Sequence, residues 1–326
     1  RAIQSGHENF PPVCGKRADW IATAPFQGIT GRHLNGMYLM MGKKREFTSY
    51  FHQFAERFLK AKSGGKEKLM VWTNTFLTEP FAETVKETDW NVIAQRSEPF
   101  GPRLPAEVMV LTASVDINEA GGGFVQIEVL GWGDEEETWG VCNYRIAGNF
   151  DSPAVQDAVE DFLSQEWIHE SGGKMKIHAV GFDTGRKTET VYKFIRKRSG
   201  KHYVALKGGA STVGTMLVTS RWHKHQGIWL HSVADDTGKT TVYERLEIAE
   251  AGARYQHFPK AENKFLLGDG TLLSSGYTTQ YFRQLCSEKL KTTLERGKVK
   301  REWIKVALRN EALDLRKYNF AVFTLL

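Results

Sequence analysis

Cysteine is scarce in this 326-residue sequence. Cys14, Cys142 and Cys286 lie far apart, are odd in number and include no CxxC. That excludes a disulfide scaffold and a cysteine-built zinc site, and it leads us to expect reduced thiols in an intracellular protein. GxxxxGK[ST] is missing, so this piece carries no P-loop ATPase. No apolar run approaches the ~18 residues of a membrane span, and there is no internal repeat or low-complexity tract. The opening RAIQSGHENF has neither an initiator methionine nor a signal-peptide pattern, as expected of a fragment or trimmed product. A dominant charge sign is missing too. The 44 Lys+Arg against 38 Asp+Glu leave +6, which permits a polyanionic partner without demonstrating one.

What remains is an ordinary globular composition, 41% hydrophobic and 25% charged, with length for about two domains. Residues 1–45 are loop-rich. Phe47, Phe51, Phe54 and Phe58 then recur at i, i+4, i+7 and i+11, one face of a helix stopped by Gly64 and Gly65. Pro99, Pro102 and Pro105 mark a linker, so we expect a helical and loop-rich extension over 1–103 and a main domain over 104–326. Strands are expected near 108–117, 124–132 and 138–147, an antiparallel meander. Ser152-Pro153 opens a helix with Val155, Val159, Phe162 and Leu163 inward. KMKIHAVGFDTG is the next strand, followed by a helix with Val191, Phe194 and Ile195 inward and Arg196, Lys197 and Arg198 outward. HYVALKGG is a further strand. A meander followed by parallel α/β units implies an α/β fold, a mixed sheet flanked by helices.

Within the first strand, LTASVDIN, stands Asp116, and burying a lone carboxylate is costly unless it is paired or bound to a cation. Asp183 closes a second apolar strand. In the last segment Trp303, Ala307, Glu311, Asp314, Tyr318, Ala321 and Leu325 fall on one helical stripe, which puts two acids on an otherwise buried face. Each acid alone has an ordinary explanation: a cap at Asn118, a turn at Asp183, a pair of Glu311 with Arg309 or Arg316. Together they suggest a cluster stable only around a divalent cation. Oxygen ligands without His or Cys favour Mg²⁺ or Mn²⁺, and two such ions serve in-line phosphoryl displacement, which suggests a metal-dependent phosphodiesterase. RWHKHQGIWLHSV sets Arg221, His223, Lys224 and His225 around Trp222. It reads equally as a nucleic-acid contact and as a solvated hairpin, and its two histidines are a weak metal signal.

LTASVDIN, GWG with EEETW, FDTG with VYKFIRKR, ALKG, HFP and above all RNEALDLRKYNFA resemble the nuclease domain of the phage terminase large subunit of the lambda-type (GpA) family. HLNGMY and NTFLTEPF resemble its joint between ATPase and nuclease. The resemblance runs from about Trp20 to the C-terminus. It implies a ribonuclease H-like fold in which the first and fourth strands are neighbours, bringing Asp116 beside Asp183 with the last helix supplying Asp314. It implies an endonuclease that cuts concatemeric viral DNA during packaging, with two Mg²⁺ or Mn²⁺ ions on Asp116, Asp183 and Asp314. Glu311 is a further ligand, a supporting residue or a salt-bridge partner. Lys207 of ALKG matches a recurrent lysine, which with Arg196, Arg198, Arg221, His223 and Lys224 forms the expected DNA-binding set. Implied partners are double-stranded DNA, the small terminase subunit, the portal and an ATPase domain of the same full-length chain, in the host cytoplasm and transiently at the procapsid. Only Cys14 stands where the family often carries a cysteine-rich stretch, so no zinc site is expected. Two rivals remain: a non-catalytic docking module of the motor, and another ribonuclease H-like nuclease or recombinase.

Overall fold

A computed structural model describes residues 47–63, 66–78, 88–209, 216–295 and 298–326. Cys14, HLNGMY and the loop-rich opening lie outside them. The chain divides into two compact units, residues 1–84 and 85–326. In the first, the expected aromatic helix is α1 (Phe47–Ser63), followed by α2 (Lys66–Trp72), which runs on into a π-helical turn, Thr73–Leu77. Its stripe has a partner within the unit: the Trp72 ring lies 5.0 Å from Phe54 and 5.0 Å from Phe58.

The second unit opens on α3 (Trp90–Gln95), capped by Asp89, whose carboxylate accepts from the Asn91 amide at 2.8 Å. The meander is β1 (Val110–Asn118), β2 (Phe124–Trp132) and β3 (Thr138–Ala147). Gly121, Gly122 and Gly123 all take positive φ in the β1–β2 turn, a conformation open to glycine at little cost. Then follow α4 (Pro153–Leu163), a short β4 (Glu166–Ile168), β5 (Lys174–Asp183), α5 (Thr188–Arg196), β6 (Tyr203–Gly209), β7 (Leu217–His223), β8 (Ile228–Ala234) and α6 (Asp235–Leu246). Short strands β9 (Gln256–His257), β10 (Lys264–Leu266) and β11 (Leu272–Ser274) precede α7 (Thr279–Leu285). A hairpin of β12 (Glu288–Glu295) and β13 (Lys298–Lys305) leads into α8 (Glu311–Thr324).

The main sheet has the order β7-β8-β6-β5-β1-β2-β3-β9. The meander is antiparallel, while β1, β5, β6 and β8 run parallel, so the mixed ribonuclease H-like sheet expected from the sequence is present. Side chains on β1 alternate as a pleat requires. Leu111, Ala113, Val115 and Ile117 join the core that includes Val159 and Phe162 of α4 and Phe194 of α5. Thr112 and Ser114 point the other way and hydrogen-bond to α8. Helices α6, α7 and α8 build that second layer, around Trp132, Val242, Tyr281 and Leu313. Gly181 of β5 lets α8 come close, since an added Cβ would fall 2.5 Å from both Val322 and Leu206.

One expectation is corrected. The last helix begins at Glu311, not near Trp303: residues 298–305 are β13, and Ala307 lies in the connection. The reason is a strand partner that the stripe ignored. Leu290 pairs with Trp303 across the hairpin, and the Trp303 ring stacks on Tyr243 of α6 at 5.3 Å. Nor is α8 amphipathic, because every residue from Glu311 to Val322 except Asp314 is buried.

Candidate active site

Register places the first two acids. Val115 of β1 pairs with Phe182 of β5, so the next residues, Asp116 and Asp183, leave adjacent parallel strands side by side. Both fall on the α8 face, in step with Thr112 and Ser114 on β1 and with Gly181 on β5. The first turn of α8 then brings Glu311 and Asp314 over this edge.

The four carboxylates are satisfied very unequally. Asp314 is engaged at both oxygens: Oδ1 accepts from Lys317 Nζ at 2.9 Å and Oδ2 from Asn310 Nδ2 at 2.8 Å. Asp183 Oδ1 accepts from the Gly185 amide at 3.0 Å and from the Tyr318 hydroxyl at 3.2 Å. Tyr318 in turn accepts from the Gly208 amide at 3.1 Å. Glu311 is buried; its Oε1 accepts from Asn118 Nδ2 at 3.2 Å, and its Oε2 is buried with no partner. Asn118 thus serves twice, because its Oδ1 also accepts from the Ala120 amide at 2.9 Å to shape the turn. Asp116 finds no hydrogen-bond donor among the described residues. Burial first, then the charges of Asp183, Asp314 and Glu311, push its pKa up to about 7 against the opposing pull of Arg186. Asp183 is also pushed up, by burial, which outweighs the Gly185 hydrogen bond and the nearby Lys317 charge.

Asp116, Asp183, Glu311 and Asp314 therefore meet at one edge. Among the described residues, however, no three His, Cys, Asp or Glu side chains stand close enough to form an assembled metal centre. The physics accounts for this: unshielded carboxylates repel, and Asp314 is turned toward Lys317 and Asn310. The donors nonetheless fit a hard divalent cation. All are oxygens, Asp116 lacks a donor, and one Glu311 oxygen is orphaned in the interior.

The basic residues divide. Lys207 is exposed on β6, one residue beyond Leu206, which pairs with Asp183, so it shares the strand end of the acids while the pleat turns it to the opposite face of the sheet. Arg196, Arg198, Arg221, His223 and Lys224 lie farther from the acids. Helix α5 runs back from the Asp183 end, and His223 pairs with Ile228 at the start of β8. Followed through the pairs of β6 and β8, Arg221 lies one residue and His223 three residues along from the level of Asp183, but on β7, three strands from β5 and about 14 Å across the sheet. There Arg196, Trp222, Trp229 and His231 help to line a groove of about 600 Å³. Arg198 is already engaged, donating from Nε to Glu160 Oε2 at 2.6 Å and lying 3.7 Å over the Phe194 ring.

Sequence reasoning missed Asp235, Lys317 and Asn310. Lys317 Nζ donates to Asp235 Oδ1 at 2.6 Å as well as to Asp314. Asp235 directly follows the apolar strand β8, the same signal that singled out Asp183. Glu128 was also passed over, although all nine residues of β2 are buried around it. Its charge has a different fate: Oε1 accepts from Arg316 Nη2 at 2.7 Å and from the Tyr281 hydroxyl at 2.6 Å. A buried acid on a strand is therefore an ambiguous sign, resolved only by whether a cation of the chain reaches it.

Residues 29–326 match the family described as terminase large subunit gpA, endonuclease domain. Among curated proteins, the chain is 28% identical over 282 residues to the terminase large subunit of Escherichia phage lambda, covering 84% of this chain and 41% of that protein. It is 28% identical over 261 residues to the terminase large subunit of Enterobacteria phage P21, covering 78% of this chain and 38% of that one. The chain thus spans about two-fifths of the length of these relatives.

Proposed function

Because the chain belongs to the family of terminase large subunit gpA endonuclease domains, we propose that it is the DNA-cutting module of a packaging machine, an endodeoxyribonuclease acting on concatemeric viral duplex. The observation that carries this reading is the meeting of Asp116, Asp183 and Glu311 at one sheet edge, with Asp116 unpartnered and its pKa raised to about 7. Such strain is retained where the carboxylates have a cation to hold. Bound Mg²⁺ or Mn²⁺, two ions in the arrangement inferred from the sequence, would lower the pKa of the attacking water and steady the leaving oxygen of the phosphodiester.

The chain's own residues do the positioning. Asp116 and Asp183 present oxygens from rigid neighbouring strands, Tyr318 fixes the Asp183 carboxylate, and Asn118 orients Glu311. Lys207, exposed at the same strand end though on the opposite face, would supply a backbone contact that positions the duplex without reading sequence. DNA, an ATPase region of a longer chain, the small subunit and the portal are the partners this reading brings with it, in the host cytoplasm.

The test is cleavage of linear and supercoiled duplex with Mn²⁺. Asp116→Asn and Asp183→Asn should each lower the rate by on the order of 10²–10³-fold, the loss typical of removing one preorganised electrostatic contact. Unchanged cleavage by both variants would sink the assignment.

A further inference from the structure

We propose that Trp222 and Trp229 form a stacking platform for unpaired bases, a subsite that holds single-stranded DNA beside the acidic edge. The inference rests on the nuclease reading above and adds to it a form of the substrate that the four acids do not address.

Three observations carry it. First, the indoles are exposed together. Trp222 is 47% exposed and Trp229 54%, and no other tryptophan among the described residues is exposed. They pair across the β7–β8 hairpin with ring centroids 5.6 Å apart and planes at 57°, so they are not stacked on one another. A lone apolar side chain on a surface needs no explanation, but two adjacent indoles in one groove form the kind of patch that marks a binding site. Second, the groove has the charge a polyanion needs. Its walls carry Arg196 and Lys201 and no carboxylate. Lys201 is tied to Glu160, whereas Arg196 has no acid partner among the described residues and donates at 3.3 Å to the Gln226 carbonyl. Arg221 and Lys224 add two exposed cations on the same hairpin. Third, the pleat puts the platform on the face that carries the acids. Asp183 pairs with Leu206 and Leu206 with His231, so the three share one level and one face. Trp229 stands two residues before His231 and therefore on that face too, with Trp222 opposite it. Two strands across and two residues along place Trp229 about 12 Å from Asp183, and Trp222 is one strand farther, at about 16 Å.

Stacking selects the partner. In a duplex the faces of the bases are covered by their neighbours, and a protein meets phosphates and groove edges. An unpaired base offers a bare π-face, and an indole accepts any base, so the contact needs no particular sequence. Arg196 at the rim supplies the phosphate contact that such sites combine with stacking.

The experiment measures binding to the full chain in EDTA, where no metal is present to support cleavage. The probes are a fluorescent oligothymidylate of about 12 nucleotides, within the usual range of single-strand site sizes, and a duplex of the same length. Trp222→Ala and Trp229→Ala should each weaken oligothymidylate binding by about 5–150-fold, the loss of one stacked base, while Trp222→Phe and Trp229→Phe stay within about 3-fold of the wild type. Duplex affinity should change by less than about 2-fold in all four, because phosphate contacts are untouched. Arg196→Ala should lower the salt slope of oligothymidylate binding by about 0.7, and the tryptophan variants should leave that slope unchanged. No oligothymidylate binding by the wild type, wild-type affinity in both alanine variants, or an equal loss on single strand and duplex overturns the proposal. So does a wild-type dimer that both alanine variants dissociate without loss of oligothymidylate affinity, which would assign the indoles to a second copy of the chain. These outcomes leave the cleavage test of Asp116 and Asp183 untouched. Unchanged cleavage there, with the single-strand losses as expected, removes the nuclease reading and keeps the platform.

Discussion

Asp116→Asn should make the metal-free chain more stable at pH 8, although it removes the residue most central to the candidate site. The folded pKa is about 7 against an ordinary 3.8. At 1.36 kcal/mol per unit, that difference bounds the penalty of ionising Asp116 in the fold at about 4 kcal/mol. Relaxation and solvent at the cleft rim reduce it, so about 2–4 kcal/mol is the expected gain. The sign follows from proton linkage. Between the two pKa values the folded state holds a proton that the unfolded state has released, so stability falls as pH rises from about 4 to about 7 and is flat above that. Asparagine has no proton to lose. The advantage should therefore be full at pH 8 and shrink below about 1 kcal/mol near pH 4.5, where wild-type Asp116 is protonated in the fold. Thermal unfolding in EDTA reads it as a rise of roughly 4–15 °C at pH 8 for a unit of this size. Mn²⁺ at about 1,000 times its Kd should cancel or reverse the order, since it adds about 4.1 kcal/mol to the wild type alone. If the variant is neutral or destabilised at pH 8 in EDTA, or equally stabilised at both pH values, then Asp116 is not a strained carboxylate and the argument for a cation fails with it.

Arg316→Ala should cost about 3–5 kcal/mol, because it strands Glu128 in the interior; the pair is 2.7 Å apart with both side chains 0% exposed. Glu128→Gln combined with Arg316→Met should recover most of that loss in the denaturant midpoint, and a single-variant cost under about 1 kcal/mol would refute the pairing. His257 sits between Glu98 and Glu137 at 2.9 Å on either side, stacked 4.8 Å over Trp139. Burial opposes its charge, and the hydrogen bonds to the two carboxylates outweigh burial, so its pKa is raised. The stability it contributes is complete below about pH 6.5 and lost as pH rises through the folded value. His257→Ala should therefore cost about 1–3 kcal/mol at pH 6 and less at pH 9, and an equal cost at both would show that the imidazole is held neutral.

The meander and the α/β units were legible because period-2 runs are local signals, whereas the neighbouring of Asp116 and Asp183 followed from the family resemblance, since strand order is non-local. The start of α8 was not legible. Trp303 and Ala307 match a helical stripe, but pairing with β12 is a non-local term that a stripe cannot register. The role of Lys317 was hidden for a related reason. On α8 it lies three residues after Asp314, so the sequence offers an ordinary i,i+3 ion pair. Only the arrival of Asp235, 82 residues earlier, turns that surface motif into an enclosed triad. The placement of Arg221, His223 and Lys224 on and beyond the edge strand β7 was likewise invisible, because basic composition says nothing about where in the strand order a hairpin falls.

Why, then, does a buried helix carry so many polar residues? The lock beneath the acids supplies a reason. Asn319 accepts from Thr112 Oγ1 at 3.0 Å and donates to Ser114 Oγ at 2.9 Å and to the Glu128 carbonyl at 3.1 Å. Ser114 donates to the Leu315 carbonyl at 2.8 Å, and Arg316 reaches Glu128 on β2. These bonds leave α8 in different directions, toward β1 and toward β2, and a one-residue slip rotates a helix by about 100°. Any slip would break all of them at once and leave several buried polar groups unpaired, at roughly 1–3 kcal/mol each. Leucines at the same positions could fill the space, but they would tolerate the slipped registers as well. The site needs a single register, because Glu311 must face Asn118 and Asp116 while Lys317, less than two turns later, faces Asp235. On this argument, the buried polar ladder under α8 fixes the angle at which one helix delivers acids to the sheet edge and a cation to its neighbour.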